Sequence, residues 1–275
     1  MYRIVDKKVL NSAVTSLTVE APFIAKKARA GQFVIVRADE KGERIPLTVS
    51  DFDPAAGTVT MVIQAVGLTT KKLSALNIGE SILDVAGPLG CPTEFGDAKK
   101  AIIIGGGVGC AIAFPQAKAL YNAGADVTVI AGFRSKDIVI LEEEMKAVSN
   151  NLYITTDDGS YGEKGLVTDV LKRLLDSGEY DLVIAIGPVI MMKFVALTTK
   201  PYGVKTIVSL NPIMIDGTGM CGGCRVKVDG KTKFACVDGP DFDGHLVDFD
   251  ELMRRNTLFR EEEAHACRLE AQNNG

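Results

Sequence analysis

The chain has 275 residues, of which 47% are hydrophobic and 24% are charged, and its formal net charge is -4. This length allows two compact domains and a small additional module. No basic block recurs along the sequence, and the longest apolar stretch, 101–114, contains four glycines and is too short to span a bilayer. We therefore expect neither nucleic acid nor a membrane as a partner.

The first ten residues mix Arg, Asp and Lys with apolar residues, so they lack the uninterrupted apolar stretch of a secretory signal. This pattern predicts a cytoplasmic protein. The six cysteines would then lie in a reducing compartment, where clustered thiols bind metal more often than they form disulfides.

Residues 1–97 alternate short β-branched runs with turns that contain glycine or proline. Strands are predicted at 4–5, 14–19, 33–37, 59–65 and 81–85. This alternation predicts a small antiparallel β-barrel as the first domain.

From residue 98 the pattern changes to strand, glycine turn and helix. Strands are predicted at 101–104, 127–131, 152–155, 182–186 and 206–209, with helices between them, the first at 111–122. The pattern is typical of a doubly wound parallel sheet, which we assign to residues 98–209. Residues 210–275, which are rich in Gly and Cys at their start, are predicted to form a small module whose fold depends on a bound ligand rather than on a large apolar core. This module is predicted to end in a helix at 249–263.

The last module has a characteristic cysteine spacing. Cys221 and Cys224 enclose two glycines, and Cys236 follows after eleven intervening residues and a predicted hairpin at 225–234. Plant-type [2Fe–2S] proteins use C-x4-C-x2-C with a distant fourth cysteine, and here Asp216 occupies the first position. The spacing predicts a [2Fe–2S] cluster held by Asp216, Cys221, Cys224 and Cys236.

The alternative is a zinc site with three thiolates and His245 as the fourth ligand, because a CxxC turn is common to both metals. The glycines of the loop favour the cluster, since backbone N–H groups must approach its sulfurs closely. Cys91 and Cys110 are predicted to be small buried residues, and Cys267 is placed in a polar tail; none of the three is assigned any chemistry.

A glycine-rich turn connects the first strand of the parallel sheet to its helix. It consists of Gly105, Gly106, Gly107, Val108 and Gly109. Such a turn and the helix N-terminus can receive a pyrophosphate, although the motif is not a strict G-x-G-x-x-G and a simple tight turn is the alternative. The segments 157–162 and 187–188 follow other strands of the same sheet, which supports a nucleotide site.

Two segments of the barrel are candidates for a flavin. The stretch 44–50 joins a cation, a rigid proline and hydroxyl groups, which can pair with a flavin's phosphate and edge; the alternative is an edge strand with a solvated Arg44. Gly67, Thr69 and Thr70 precede a helix predicted at 71–76, whose N-terminus suits a pyrophosphate.

The order of barrel, nucleotide domain and cysteine module resembles that of the ferredoxin-reductase-like subunits. Among them are the electron-transfer subunit of dihydroorotate dehydrogenase and the small (alpha) subunit of NADH-dependent reduced ferredoxin:NADP oxidoreductase, also known as the sulfide dehydrogenase beta subunit. The dihydroorotate dehydrogenase subunit has Cys where this chain has Asp216, whereas the second family is similar to this chain in carrying Asp. The segments 237–240 and 247–252 also resemble the second family.

The resemblance implies three sets of binding residues. FAD would be held by Arg44, Pro46, Leu47, Thr48 and Ser50 in the barrel strand, and by Gly67, Thr69 and Thr70. The nicotinamide nucleotide site would be lined by Gly105 to Gly109, Asp158, Gly159, Gly187, Pro188 and Met191. Asp216, Cys221, Cys224 and Cys236 would ligate the cluster.

The resemblance further implies an NAD(P)H-dependent flavoprotein oxidoreductase subunit that takes hydride from NAD(H) or NADP(H) onto FAD and passes electrons to a partner. That partner is a larger flavoprotein subunit with further iron–sulfur clusters, where electron bifurcation takes place, in a heterodimer or higher assembly that reaches ferredoxin indirectly. The alternatives are a dihydroorotate dehydrogenase electron-transfer subunit and a non-enzymatic Zn-stabilised nucleotide sensor. With His245 and His265 as its only histidines, the chain has little with which to perform hydrolytic catalysis.

The choice between NADH and NADPH stays open in the sequence. Arg134, just after the second strand of the parallel sheet, can meet a 2′-phosphate, and no acidic residue ends that strand to hold a ribose hydroxyl. The alternative is a generic loop cation.

Overall fold

The computed structural model describes residues 1–273, without the side chains of residues 260, 266 and 269–273. Within that range, no helix is both long enough and apolar enough to cross a membrane.

The N-terminal part consists of two antiparallel sheets with short helices at their ends. Its strands are β1 (Tyr2–Asn11), β2 (Val14–Glu20), β3 (Phe33–Arg37), β4 (Arg44–Thr48), β5 (Asp51–Asp53), β6 (Thr58–Gln64), β7 (Ser81–Ile82) and β8 (Asp84–Leu89), and its helices are α1 (Pro22–Ala25) and α2 (Leu68–Ala75). One sheet has the order β5-β6-β2-β1-β7 and the other β4-β3-β8. Along β6, Val59, Met61 and Ile63 are fully buried while the residues between them are not, so one face of this sheet covers a core that it shares with β3. The predicted antiparallel barrel is confirmed.

The second part is a seven-stranded sheet with helices on both faces. Its elements are β9 (Lys100–Gly106), α3 (Gly109–Asn122), β10 (Asp126–Phe133), α4 (Glu142–Ala147), β11 (Asn151–Thr156), β12 (Glu163–Lys164), α5 (Val167–Ser177), β13 (Leu182–Ile186), α6 (Val189–Thr199) and β14 (Lys205–Ser209). The order is β12-β11-β10-β9-β13-β14, followed at the edge by a strand from the C-terminal third, and the pairs up to β14 are parallel.

The central strand β9 shows why this sheet needs two layers of helices. Ile102 and Ile104 pack on the side of α5 and α6, whereas Ile103 packs on the side of α3, and all three are fully buried. A strand buried on both faces has a continuous apolar sequence, as this one does. The strand order reverses between β9 and β13, and that is where ligands of doubly wound sheets bind.

The C-terminal third packs onto the sheet and onto the barrel. It contains β15 (Arg225–Val228), β16 (Lys231–Phe234), α7 (Ala235–Asp238), β17 (Asp241–Asp243), α8 (Phe249–Arg255) and α9 (Arg260–Asn273). Strand β17 is the edge strand of the large sheet and pairs antiparallel with β14. The division of the chain at residues 97 and 209 stays a prediction.

The predicted single helix at 249–263 is wrong. Helix α8 ends at Arg255, the N–H groups of Thr257 and Leu258 then donate to carbonyls three residues back, and Phe259 has a φ of 68° before α9 begins. A left-handed residue of this kind interrupts a helix.

Candidate cofactor sites

Two of the four predicted cluster ligands meet in the interior of the C-terminal module. The Sγ atoms of Cys224 and Cys236 are 3.1 Å apart, and both residues are 2% exposed. Cys221 lies on the preceding loop, is exposed, and accepts a hydrogen bond at its Sγ from the N–H of Gly223 at 3.4 Å. The structure therefore brings two thiols together beside a third on a glycine turn.

Asp216 shapes the loop that carries these cysteines. Its carboxylate accepts hydrogen bonds from the N–H and the hydroxyl of Thr218, and from the N–H of Cys221 at 2.8 Å. These bonds hold the pKa of Asp216 well below its usual range, so the group is an anion. Thr218 was missed by the sequence reasoning, although an Asp followed two residues later by Thr is a known signal for such a local turn.

Burial and the nearby Cys224 raise the pKa of the Cys236 thiol to about 12. A metal would have to displace that proton, as metal binding to thiols generally requires. Among the side chains that the structure describes, no three of His, Cys, Asp or Glu are arranged to hold a metal ion. The complete four-ligand set therefore stays a prediction.

The loop nevertheless fits an iron–sulfur cluster in its chemistry. The N–H of Gly219 donates to the sulfur of Cys236, and the N–H of Gly223 donates to that of Cys221. Gly217, Gly219 and Gly222 have φ angles of 79°, 86° and 67°, which glycine adopts without strain. Thiols surrounded by backbone donors are the environment such clusters require.

The histidine of the zinc alternative lies against the large sheet. His245 Nε2 is 2.9 Å from the hydroxyl of Thr199 in α6, and Nδ1 is 3.9 Å from a carboxylate oxygen of Asp243. The structure thus gives His245 partners of its own and does not group it with the cysteines.

The remaining cysteines differ from one another. Cys110 is fully buried, as predicted, and burial raises the pKa of its thiol to about 12. The prediction for Cys91 is wrong, because this residue is exposed and its thiol donates to the carbonyl of Val237 at 3.2 Å. Cys91 follows strand β8, which ends at Leu89, and its N–H donates to the carbonyl of Gly239 at 2.6 Å. Cys267 is partly exposed on α9.

Two predicted nucleotide loops meet where the strand order reverses. A Cβ atom on Gly109 would lie 2.4 Å from the carbonyl oxygen of Ile186, and one on Gly106 would lie 2.5 Å from Met191 Sδ. The turns after β9 and β13 therefore lie so close together that a side chain at Gly106 or Gly109 would collide with the second turn. A Cβ atom on Gly107, which has φ +56°, would meet no atom within 4 Å.

A third loop, after β11, lies beside the end of β10. The N–H of Asp158 donates to the carbonyl of Arg134 at 3.2 Å, and its carboxylate accepts from the N–H and the hydroxyl of Ser160, which lowers the pKa of Asp158. The Arg134 side chain is exposed. Lys164, which the sequence reasoning missed, packs its methylenes on Gly159, where a Cβ would be 3.0 Å away.

The predicted flavin strand is β4, the edge strand of the smaller sheet, where a proline such as Pro46 is tolerated. Pro46, Leu47 and Thr48 are half-buried opposite β3, whereas Ser50 is 4% exposed and donates its N–H to Thr60. Ser50 is therefore part of the barrel interior.

The predicted diphosphate turn is the N-terminus of α2. The Thr70 hydroxyl oxygen accepts from the N–H groups of Val66 and Gly67 at 3.1 and 2.9 Å, so the helix begins at Leu68, three residues earlier than predicted. The Thr69 hydroxyl is 3.5 Å from Glu43, the residue before β4. The two predicted flavin segments are thus brought together.

Arg44, at the start of β4, connects the barrel to the cysteine loop. Its Nε donates to the carbonyl of Ile215 at 3.1 Å and its Nη2 to the carbonyl of Asp216 at 3.3 Å. The sequence carries no signal for this contact, because the partners lie 171 and 172 residues apart.

Comparison with known proteins gives relatives over nearly the whole chain. The iron–sulfur cluster binding domain of dihydroorotate dehydrogenase B matches residues 211–248. A dihydroorotate dehydrogenase B (NAD(+)) electron transfer subunit homolog of Thermotoga maritima is 50% identical over 263 residues, which are 96% of this chain and 93% of that protein. The dihydroorotate dehydrogenase B (NAD(+)) electron transfer subunit of Shouchella clausii is 34% identical over 236 residues, 82% of this chain and 89% of that protein.

Among solved structures, a chain of the NADH-dependent reduced ferredoxin-NADP oxidoreductase, determined for insight into flavin-based electron bifurcation, superposes with a TM-score of 0.91. It is 49% identical, and the superposition covers 96% of this chain and 95% of that one. The predicted arrangement of barrel, parallel sheet and iron–sulfur module is thereby confirmed.

Proposed function

We propose that this chain is the FAD- and [2Fe–2S]-containing electron-transfer subunit of an electron-bifurcating NADH-dependent ferredoxin:NADP oxidoreductase. The chain belongs to the family of dihydroorotate dehydrogenase B electron-transfer subunits. The observation that carries this proposal is the superposition on a chain of that enzyme over 96% of this chain. When bound, FAD exchanges hydride with the nicotinamide, and the cluster relays single electrons.

Each part of the chain has a separate task in this proposal. Strand β4 and the N-terminus of α2 hold the flavin, with Thr69 and Glu43 placing the two segments side by side. The turns at Gly107 and at Gly187 hold the nicotinamide nucleotide at the strand-order reversal, as in other doubly wound sheets. The loop from Asp216 to Cys224, together with Cys236, holds the iron.

The partner is a larger flavoprotein subunit with iron–sulfur clusters of its own, in a cytoplasmic heterodimer or higher assembly, and ferredoxin is reached through that subunit. Family membership supports a multi-subunit complex, since the relatives are named as electron transfer subunits. This chain therefore needs no carbon-substrate site of its own.

A second candidate is the electron-transfer subunit of a dihydroorotate dehydrogenase. The 34% identity to such a subunit over 82% of this chain favours it. Asp216 favours the first candidate, because the resemblance places Cys at this position in the dihydroorotate dehydrogenase subunits and Asp in the bifurcating ones.

The experiment is anaerobic purification of the tagged chain with its native partner, followed by two assays. The first candidate predicts NADP⁺ reduction that requires both NADH and reduced ferredoxin. Orotate formation from dihydroorotate, coupled to NAD⁺ reduction, would establish the second candidate instead. A complex without flavin and iron would overturn both.

The chain purified anaerobically without its partner addresses the nucleotide preference. We expect NADH to bleach the flavin absorbance of the isolated chain, and Arg134→Ser to leave that reaction unchanged. If the wild-type protein reacts faster with NADPH than with NADH and Arg134→Ser removes this difference, the exposed arginine binds the 2′-phosphate of NADPH.

A further inference from the structure

The cysteine loop is attached to the barrel by a two-pronged contact from Arg44. Nε and Nη2 lie on one edge of the guanidinium, and they donate to two consecutive carbonyls, those of Ile215 and Asp216, at 3.1 and 3.3 Å. Two donors in a rigid fork fix the orientation of the peptide that they bind, which a single flexible cation cannot do.

A second contact also holds this segment against the barrel. Gly217, with φ +79°, lies so close to the barrel that a Cβ would be 2.7 Å from Ile35 Cγ1 and 2.8 Å from Leu89 Cδ1. Ile35 belongs to β3, the strand that pairs with β4. Residues 215–217 are therefore fastened both to the flavin strand and to its neighbour.

Arg44 differs in this respect from its cross-strand neighbour. Arg37 is the register partner of Arg44 in the pair of β3 and β4, and it forms an ion pair with Asp84 at 2.6 Å within the barrel. Among the ion pairs of the described residues none includes Arg44, whose side chain donates instead to the two loop carbonyls.

We propose that Arg44 is a positioning residue that fastens the iron–sulfur loop to the flavin strand and thereby sets the potential of the cluster. This inference rests on the proposed function. Arg44 orients the Asp216 peptide, and the Asp216 carboxylate in turn accepts a hydrogen bond from the N–H of Cys221 at 2.8 Å. Arg44 therefore helps to fix the conformation of the cysteine loop.

A positive charge beside the cluster favours its reduced, more negative form and raises its potential. The Nη1 group is not part of the fork and can still donate to an anion. Binding of a flavin phosphate by Arg44, as the family resemblance implies, is therefore compatible with its hold on the loop.

The test compares Arg44→Gln, Arg44→Lys and the control Arg37→Gln in the anaerobically purified full chain. The readouts are iron and FAD content, the cluster midpoint potential from a redox titration followed by electron paramagnetic resonance, and hydrogen exchange of the amides in residues 211–224. We expect Arg44→Gln to lower the potential and to speed exchange at Cys221 by about tenfold, since loss of the fork frees the loop. Arg44→Lys should lie between it and the wild type, and Arg37→Gln should match the wild type.

An unchanged potential and unchanged exchange in Arg44→Gln would overturn the inference. Loss of FAD in the same variant would then leave Arg44 as a flavin ligand only. If Arg44→Gln does not fold, Arg44→Lys and Gly217→Ala test the inference instead, because both loosen the loop and Arg44→Lys retains the charge. A wild-type midpoint potential and wild-type hydrogen exchange in both variants would again overturn it. A wild-type chain without a cluster signal would overturn the proposed function and this inference together, whereas a cluster signal that Arg44→Gln leaves unaltered overturns the inference alone.

Discussion

The Sγ atoms of Cys224 and Cys236 lie 3.1 Å apart because a hairpin separates the two residues in the chain. Arg225 pairs with Phe234, so the residues that flank β15 and β16 return to the same place, and the N–H of Ala235 donates to the carbonyl of Cys224. The turn is Asp229-Gly230, with φ angles of 51° and 70°, as a two-residue type I′ hairpin requires. The eleven residues between the cysteines are therefore the ten of the hairpin and Ala235, which gives the sequence spacing a structural meaning.

Replacing either of these thiols should abolish the cluster. Cys224→Ser and Cys236→Ser each remove a buried sulfur, and a hydroxyl is a much poorer ligand for iron. We expect iron and acid-labile sulfide to fall to background in both variants, and the visible absorbance of the cluster to disappear while that of the flavin remains.

Cys91→Ser and Cys267→Ser are the matched controls, since neither cysteine is in the spacing motif. Cys91 is the more demanding control because it lies close to the motif: its thiol donates a hydrogen bond to the carbonyl of Val237, the residue after Cys236. Full iron content in Cys236→Ser, or its loss in Cys267→Ser, would contradict the ligand assignment.

Asp216→Cys should retain the cluster and lower its potential. A thiolate is a softer and stronger donor to iron than a carboxylate, so four sulfur ligands should stabilise the oxidised state. The quantity to measure is the midpoint potential, with Asp216→Asn as a control that keeps one acceptor oxygen for the loop N–H groups. The same potential in Asp216→Cys and wild type would exclude Asp216 as a ligand and leave its role to the bonds with Thr218 and Cys221.

Features fixed by local chemistry could be predicted from the sequence. The β-branched strand at 101–104, the glycines that follow it and the cysteine spacing each depend on neighbours within a few residues, and the structure confirms the elements that they predict. Contacts between distant segments could not be predicted, since no pattern in 44–50 indicates that Arg44 bonds to carbonyls near residue 215. The break between α8 and α9 was also missed, because the helical pattern continues through Phe259 while the backbone does not.

Gly109→Ala should destabilise the fold, because the new Cβ would meet backbone. It would lie 2.4 Å from the carbonyl oxygen of Ile186 and 2.8 Å from Gly187 Cα, atoms that cannot move without shifting β13. We expect a loss of about 1–3 kcal/mol in the free energy of unfolding, typical of overpacking. Urea unfolding measures it, with Gly178→Ala as the control, since a Cβ there has its nearest contact at 3.5 Å with the flexible Lys100 Nζ.

Stability should also depend on the ionisation of Asp241, which lies where the barrel, the large sheet and the C-terminal module meet. Its carboxylate accepts from Thr93 Oγ1 at 2.6 Å and, weakly, from the amide of the fully buried Gln116 at 3.5 Å. Within the described residues, its other oxygen and the amide oxygen of Gln116 are buried without hydrogen-bond partners. Burial raises the pKa of Asp241 to about 6, although the hydrogen bond from Thr93 lowers it in part.

The sign of the pH dependence follows from the direction of this shift. Because the pKa of Asp241 is higher in the folded chain than the usual value of 3.8, the folded state prefers the protonated acid. Its contribution to stability is complete below about pH 4 and is lost as the pH rises to about 6, with a total change of about 2–3 kcal/mol.

Asp241→Asn keeps a neutral group of the same shape and supplies N–H donors beside the unpaired oxygen of Gln116. We expect this variant to be more stable than the wild type at pH 8 and equally stable at pH 4, as measured by urea unfolding at both values. Asp97→Asn, which changes an exposed carboxyl four residues after Thr93, should follow the wild type at both pH values. If Asp241→Asn is instead less stable than the wild type at pH 8, the folded chain stabilises the ionised carboxylate and the pKa of Asp241 is not raised.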